Sequence, residues 1–140
     1  MLHLIKCLSI SLVLLPLTFN AVHAQLRGHG GPVRALAVSP DGTEALSGSF
    51  DTSGIRWSLT RNAAEQVLRF HDGAVNAVAY LKDGRIATAG ADAHIAIWTP
   101  SHHQPDKILD GHVGPIASLA VSPDGTTLAS ASWDRTVRLW

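Results

Sequence analysis

The sequence predicts an all-β protein made of three consecutive modules, each with four antiparallel strands. Three observations lead to this expectation: a period of 41 or 42 residues, apolar runs of strand length that end in Asp-Gly turns, and the absence of a sustained helical period after residue 24. Three sets of residues share the period: His29, His71 and His112; the Asp-Gly pairs at Asp41, Asp83 and Asp124; and Trp57, Trp98 and Trp140.

Each module is expected to contain its strands in the same order. The first strands are VRALAV, VNAVAY and IASLAV, and each is followed by an Asp-Gly pair, which is the strongest short hairpin signal. The second strands are EALSGS, RIATAG and TLASAS, the third are GIRWSL, HIAIWT and TVRLW, and the fourth are EQVLRF and DKILD. The third module has no fourth apolar run, whereas Gln25 to Arg27 is expected to be a lone fourth strand of another module.

Residues 1–24 have the order of a secretory signal peptide. Lys6 lies in a short polar start, an apolar run extends from Cys7 to Leu17, and small residues follow. The run is too short to span a bilayer as a helix, which takes about 20 apolar residues. Pro16 and the change in composition at Gln25 disfavour the alternative, a buried N-terminal helix. We therefore expect cleavage before Gln25 and a secreted or periplasmic mature chain.

The composition excludes several classes of partner and cofactor site. Hydrophobic residues make up 46% of the chain and charged residues 16%, which is typical of a globular protein. Eleven Lys and Arg balance eleven Asp and Glu, and no basic run is interleaved with aromatics, so nucleic acid is not an expected partner. Membrane binding is not expected once the signal peptide is removed. The single cysteine, Cys7, lies in the removable segment, so the mature residues offer no disulfide, Cys-based zinc site or haem attachment.

The repeated residues resemble the WD-repeat β-propeller family over Gln25 to Trp140. Gly28-His29 and Gly111-His112 match the Gly-His dipeptide of that family, whereas the second repeat keeps only the histidine. The Asp that follows Trp in the family's name is replaced by Ser58 and Thr99. The resemblance implies three propeller blades, at about residues 25–58, 67–99 and 108–140, that form a partial propeller.

The resemblance also implies a structural tetrad in each repeat. A loop His, a Ser or Thr on the second strand, the Asp of the next turn and the Trp of the third strand would form a hydrogen-bonded network. The matching sets are His29, Ser47, Asp51 and Trp57; His71, Thr88, Asp92 and Trp98; and His112, Ser130, Asp134 and Trp140. A network of this kind would satisfy buried polar groups and fix the loop to the sheet.

Catalysis and metal binding are the alternative roles for these residue types. Ser, His and Asp form catalytic triads on several folds, but a trio that recurs in each repeat with its own Trp belongs to the architecture, and no Gly-x-Ser-x-Gly turn is present. His102 and His103 lie in a Pro-flanked loop and are expected to be solvated surface residues, since a metal site needs more ligands. We therefore expect no catalytic residue, no cofactor and no metal.

The resemblance places a partner-binding surface on the turns before the third strands. The residues just before the tetrad aspartates are Phe50, Ala91 and Trp133, and the residues five beyond the tetrad histidines are Arg34, Asn76 and Ala117. Of these, Arg34, Phe50, Asn76 and Trp133 are the candidate partner contacts, because exposed Trp, Phe and Arg are frequent anchors of interfaces. The alternative is that the two aromatics only pack on neighbouring turns.

The resemblance and the lack of a catalytic set predict a non-catalytic scaffold that binds a protein, and the signal peptide predicts an exported compartment. The alternative is the N-terminal propeller part of a larger exported redox protein or enzyme, which a downstream Cys-x-x-Cys-His haem motif or catalytic domain would favour. Three blades do not close a ring, since propellers have about 4 to 8. We expect the missing blades from a longer chain or, alternatively, from a second copy of this one.

Overall fold

The computed structural model describes residues 25–140, and the regular structure of these residues consists of β-strands. The predicted signal peptide lies outside the described residues. The strands are β1 Val33–Val38, β2 Glu44–Ser49, β3 Ser53–Ser58, β4 Ala63–Arg69, β5 Val75–Tyr80, β6 Ile86–Gly90, β7 Ile95–Trp98, β8 Lys107–Leu109, β9 Ile116–Val121, β10 Leu128–Ser132 and β11 Val137–Leu139.

The strands form three antiparallel sheets in sequence order. Strands β1 to β4 make the first sheet, β5 to β8 the second, and β9 to β11 the third. The predicted all-β class and the module order are confirmed, and the third sheet has three strands within residues 25–140. The turn glycines Gly42, Gly84 and Gly125 have φ values of +72°, +86° and +76°, which explains the recurrent Asp-Gly pairs.

Gln25 to Arg27, predicted as the fourth strand of another module, have no strand partner within residues 25–140. The segment belongs to none of the three sheets, because a strand needs a neighbouring edge with which to exchange backbone hydrogen bonds. Leu26 instead packs against Ala45, Ile55 and Trp57 on the first sheet. Hydrophobic contact therefore holds this segment in place.

The sheets stack side by side, with the second sheet in the middle. Strand β5 lies between β1 and β9, so the first strands of the three modules are neighbours. Strands β6 and β7 are buried along their whole length, which agrees with their continuous apolar sequences. Because the second sheet is covered on both faces, it forms the centre of the core.

The tetrad tryptophans pack at the junctions between sheets. Trp98 lies in one cluster with Leu46 and Leu68 of the first sheet, and Trp140 packs on the cluster that includes Ile97 of the second sheet. Each of the three clusters also contains the leucine that lies three residues before a tetrad histidine. These leucines are Leu26, Leu68 and Leu109. Leu26 thus covers Trp57 as the preceding sheet covers the other two tryptophans.

The outer sheets leave apolar side chains in contact with solvent. Leu36 on β1 is 69% exposed and Leu139 on β11 is 72% exposed, and Val33, Val38 and Val137 are also exposed. Each outer sheet thus carries a strand whose apolar side chains are open to solvent.

Candidate functional site

The first tetrad is assembled between the entry to β1 and the turn between β2 and β3. Nδ1 of His29 lies 3.0 Å from Oδ2 of Asp51, and Nε2 lies 2.7 Å from Oγ of Ser47. The indole Nε1 of Trp57 donates to the same hydroxyl at 2.7 Å. The four side chains therefore form one continuous hydrogen-bonded network that joins a loop, a turn and two strands.

The other two repeats contain the same network. In the second, His71 contacts Asp92 at 2.9 Å and Thr88 at 2.8 Å, and Trp98 donates to Thr88 at 3.0 Å. In the third, the distances are 2.6 Å from His112 to Asp134, 2.7 Å to Ser130, and 2.9 Å from Trp140 to Ser130. The structure thus brings together all twelve residues that the sequence grouped into tetrads.

The direction of the hydrogen bonds follows from the chemistry of each group. An ionised carboxylate only accepts, so Nδ1 of the histidine carries the proton and donates to Asp. Nε2 then accepts from the Ser or Thr hydroxyl, whose oxygen in turn accepts the indole N–H. The central position needs a group that both donates and accepts, and a hydroxyl does this. Serine and threonine are therefore interchangeable there.

The tetrad aspartates are held in the ionised form. Burial opposes ionisation of Asp51, but hydrogen bonds from the side chain and amide of Ser53 and from the amide of Gly30 outweigh it and lower its pKa well below the usual value. Burial also opposes ionisation of Asp92, but its hydrogen bond to His71 and those from the amides of His94 and Asp72 together lower its pKa. In Asp134 the Thr136 hydroxyl is the largest cause of the lowered pKa.

A fifth position supports each tetrad, and the sequence analysis missed it. The residue two beyond the aspartate is Ser53, His94 or Thr136. The hydroxyls of Ser53 and Thr136 each donate to the carboxylate at 2.6 Å. His94 replaces them in the second repeat and lies 3.8 Å from Asp92 and 3.4 Å from Asp110. The recurrence of a hydroxyl at this spacing was the signal that could have revealed the position.

Each tetrad aspartate also organises the turn that contains it. The next residue has a positive φ in all three turns: +69° at Thr52, +68° at Ala93 and +72° at Arg135. This conformation is unfavourable for residues other than glycine, and for a β-branched threonine most of all. The carboxylate compensates by accepting a hydrogen bond from the amide two residues beyond the aspartate. Asp51 does so from Ser53 at 3.0 Å.

The tetrads are not arranged for nucleophilic catalysis. The histidine side chains of the three sets are only 4%, 2% and 0% exposed. Each Ser or Thr hydroxyl is occupied by an indole N–H and an imidazole, as at Ser130 between Trp140 and His112. A catalytic serine must instead reach a substrate carbonyl beside an oxyanion hole. The geometry gives these side chains a structural role.

The turns before the third strands present aromatic side chains to solvent. Phe50 is 51% exposed and Trp133 is 71% exposed, and Ala91 occupies the same place in the second repeat. The guanidinium carbon of Arg34 lies 5.3 Å from the centre of the Phe50 ring, which is a cation–π contact. The turns thus form an exposed surface, called the turn face below, that consists of Phe50, Ala91, Trp133 and Arg34.

The other two displayed positions differ from one another. Asn76 is half-buried, and its Nδ2 donates to the backbone oxygen of Ile116 at 3.0 Å, so it joins the second sheet to the third. Ala117 is exposed and small. The structure therefore brings Arg34 together with Phe50 and assigns the Asn76 amide to an internal contact.

The remaining histidines do not converge on a metal site. Nδ1 of His102 donates a hydrogen bond to Oδ1 of Asp106 at 2.7 Å within its own loop. His103 is exposed. Within residues 25–140, no group of three or more His, Cys, Asp or Glu is placed to hold a metal ion.

The same part of the chain contains no helix with the length and apolarity to cross a membrane.

Comparison with known protein families identifies the repeats. The family model described as "WD domain, G-beta repeat" matches residues 20–58, 63–99 and 103–140. The chain belongs to the WD40-repeat family. The resemblance noted from the sequence is therefore confirmed, and the three sheets are propeller blades. Proteins of this family generally mediate protein–protein interactions and are typically non-catalytic.

Two curated relatives and one solved structure illustrate the similarity. The chain is 30% identical over 124 residues to cilia- and flagella-associated protein 52 of Chlamydomonas reinhardtii, covering 88% of this chain and 20% of that protein. It is 32% identical over 116 residues to the small ribosomal subunit protein RACK1 of Candida albicans, covering 82% and 26%. It matches the crystal structure of the RRP9 WD40 repeats with a TM-score of 0.77 and 30% identity, covering 82% and 37%. The chain thus spans between a fifth and two fifths of the length of these relatives.

Replacement of the central hydroxyl tests the tetrad network. Thr88→Val keeps the shape of the side chain but leaves the buried Trp98 indole and His71 imidazole without their partner, and should lower the free energy of unfolding by about 1–3 kcal/mol. Thr88→Ser retains the hydroxyl found in the other repeats and should lower the free energy of unfolding by a smaller amount. Urea denaturation measures the change, with the exposed Thr126→Val as control. An equal loss for Thr88→Val and Thr126→Val would contradict the assignment.

Acid should weaken the fold through the tetrad aspartates. A carboxyl whose pKa is lower in the folded state stabilises the fold above its unfolded pKa of about 3.9, and that contribution is lost as pH falls through the folded pKa. The difference in unfolding free energy between the parent chain and Asp92→Asn should therefore narrow between about pH 5 and pH 2. Denaturation at a series of pH values measures it, and a constant difference would contradict the prediction.

Proposed function

We propose that this chain is a non-catalytic WD-repeat scaffold that is exported from the cytoplasm and binds a protein partner through its turn face. The observation that carries the proposal is the contrast between two sets of side chains. The polar groups that resemble catalytic residues are used inside the blades, whereas Phe50 and Trp133 are left exposed on turns that the tetrads hold rigid.

The chemistry of the turn face supports a protein partner. Aromatic and Arg side chains provide most of the binding energy at protein interfaces when a partner removes them from water. Phe50 and Arg34 contact each other in the free chain, so less conformational entropy is lost when a partner packs on them. The surrounding tetrads fix the backbone beneath these side chains. The entropy cost of ordering the turns on binding is therefore also reduced.

The N-terminal sequence supports export. Residues 1–24 have the polar start, short apolar run and small residues of a secretory signal, and the only cysteine lies among them. Residues 25–140 contain no cysteine, which suits an oxidising compartment.

We further propose that more blades cover the open faces of the first and third sheets. The exposed residues of β1 and β11 support this proposal, as does the position of Leu26, which occupies on the first sheet the place that Leu68 and Leu109 occupy at the internal junctions. The additional blades would come from a longer chain, and a second copy of this chain is the alternative.

Two neighbouring substitutions separate partner contact from blade stability. Trp133→Ala should weaken partner binding and leave the urea midpoint almost unchanged, because Trp133 is exposed. Asp134→Ala should lower the midpoint, because the carboxylate holds His112 and the turn. Equal destabilisation by the two variants would contradict the contact assignment.

The partner can be captured in the source cell by photo-crosslinking. A photoreactive residue at Phe50 or Trp133 should give the same discrete adduct, whereas one at Thr126, in the turn at the opposite end of β10, should not. The recovered chain should begin at Gln25 if the signal is removed. Adducts of equal yield from all three positions would contradict a docking role for the turn face.

The solution mass of the purified chain tests the blade proposal. Light scattering should show association, or thermal denaturation should show a broad transition, since a lone arc exposes Leu36 and Leu139 to water. A discrete dimer would identify the second copy as the cover. A monomer with a sharp, cooperative melt would contradict the need for any cover.

A further inference from the structure

A cavity of about 560 Å³ lies between the second and third sheets. The apolar part of its lining is formed by Leu81, Ile97, Leu109, Val121, Leu128 and Trp140. The turn between β5 and β6 and the turn between β9 and β10 border it, so it lies at the end of the sheets opposite the turn face. The cavity is separate from the turn face, and Trp140 is the one tetrad residue in its lining.

The equivalent place between the first and second sheets is filled by large polar side chains. Arg56, which immediately precedes Trp57, is largely buried and pairs with Glu44. Tyr80 extends toward them from the second sheet, and burial followed by the charge of Glu44 raises the pKa of its hydroxyl. Arg56 and Tyr80 together occupy the space that would otherwise separate these two sheets.

The second junction has smaller residues at the same repeat positions. Ile97 immediately precedes Trp98 and takes the place of Arg56, and Val121 lies nine residues after His112, as Tyr80 does after His71. A guanidinium and a phenol are thus exchanged for two aliphatic side chains. The smaller side chains leave volume between the sheets unfilled. This exchange therefore opens the cavity and makes its inner part apolar.

The charges at the mouth of the cavity are mainly positive. Lys82, Arg85 and Lys107 are exposed there, with Asp83 as the one carboxylate among the lining residues. Arg85 pairs with Asp83 at 2.7 Å. Nζ of Lys82 donates one hydrogen bond, to the backbone oxygen of Asp124 at 3.2 Å, and retains further donors. The mouth therefore favours an anion.

We propose that this cavity binds a small amphipathic carboxylate, with its hydrocarbon chain between the two sheets and its head group beside Lys82 and Lys107. The volume lies in the range of about 300–1,000 Å³ that is usual for sites of small molecules. The apolar walls would take up the chain through burial of hydrocarbon, and the ammonium groups would attract the carboxylate at the mouth. The carboxylate of Asp83 in the lining is paired with Arg85, which leaves Lys82 and Lys107 to attract the head group.

Titration of the purified chain with decanoate below its micelle concentration tests the site. Trp140 lines the cavity, so binding should change tryptophan fluorescence in a saturable way. Val121→Tyr introduces the residue that fills the first junction and should weaken binding at least about tenfold, or about 1.4 kcal/mol. Val38→Tyr makes the same change at the matching position of the first repeat, outside the cavity, and should leave the affinity unchanged.

The charge requirement is tested independently of the cavity-filling variant. Decyltrimethylammonium has the same chain with a cationic head and should bind more weakly than decanoate. The Lys82→Gln, Lys107→Gln double variant should lose that preference while keeping its urea midpoint. Absence of saturable binding, equal binding of the two amphiphiles, or equal weakening by Val38→Tyr and Val121→Tyr would each overturn the proposal. None of these results depends on the turn face.

Discussion

The hydroxyl at the centre of each tetrad is the group on which the blade depends. It accepts the indole N–H of the third strand and donates to the imidazole of the entry loop, and no other uncharged side chain of that size does both. The imidazole then transmits the constraint to the aspartate of the next turn. A buried junction of two strands, a loop and a turn is thereby satisfied without any unpaired polar atom in the tetrad.

The same network links the core of the blade to its surface. The aspartate stabilises a turn in which the following residue has a positive φ, and the residue before the aspartate is the one displayed to solvent. Phe50 and Trp133 are therefore exposed on turns whose backbone is determined by buried chemistry. Stability and presentation of a partner surface come from one set of hydrogen bonds.

The junctions between blades tolerate variation that the tetrads do not. Arg56, which pairs with Glu44, and Tyr80 fill the first junction, and Ile97 and Val121 occupy the same positions at the second. Both arrangements keep the tetrad tryptophan against the preceding sheet, so the repeat geometry is preserved while the filling changes. A repeat protein can in this way acquire a cavity at one junction without altering its fold.

The sequence by itself determined the number of modules, the order of their strands and the Asp-Gly turns, because each depends on local propensity or on a spacing repeated three times. Its resemblance to the WD-repeat family supplied the twelve tetrad positions. Tertiary structure decided the rest. The coil at Gln25 to Arg27 depends on whether another edge lies beside it, and the inward role of Asn76 depends on the third sheet. The cavity depends on side chains from two sheets, Ile97 and Val121, whose proximity no local pattern encodes.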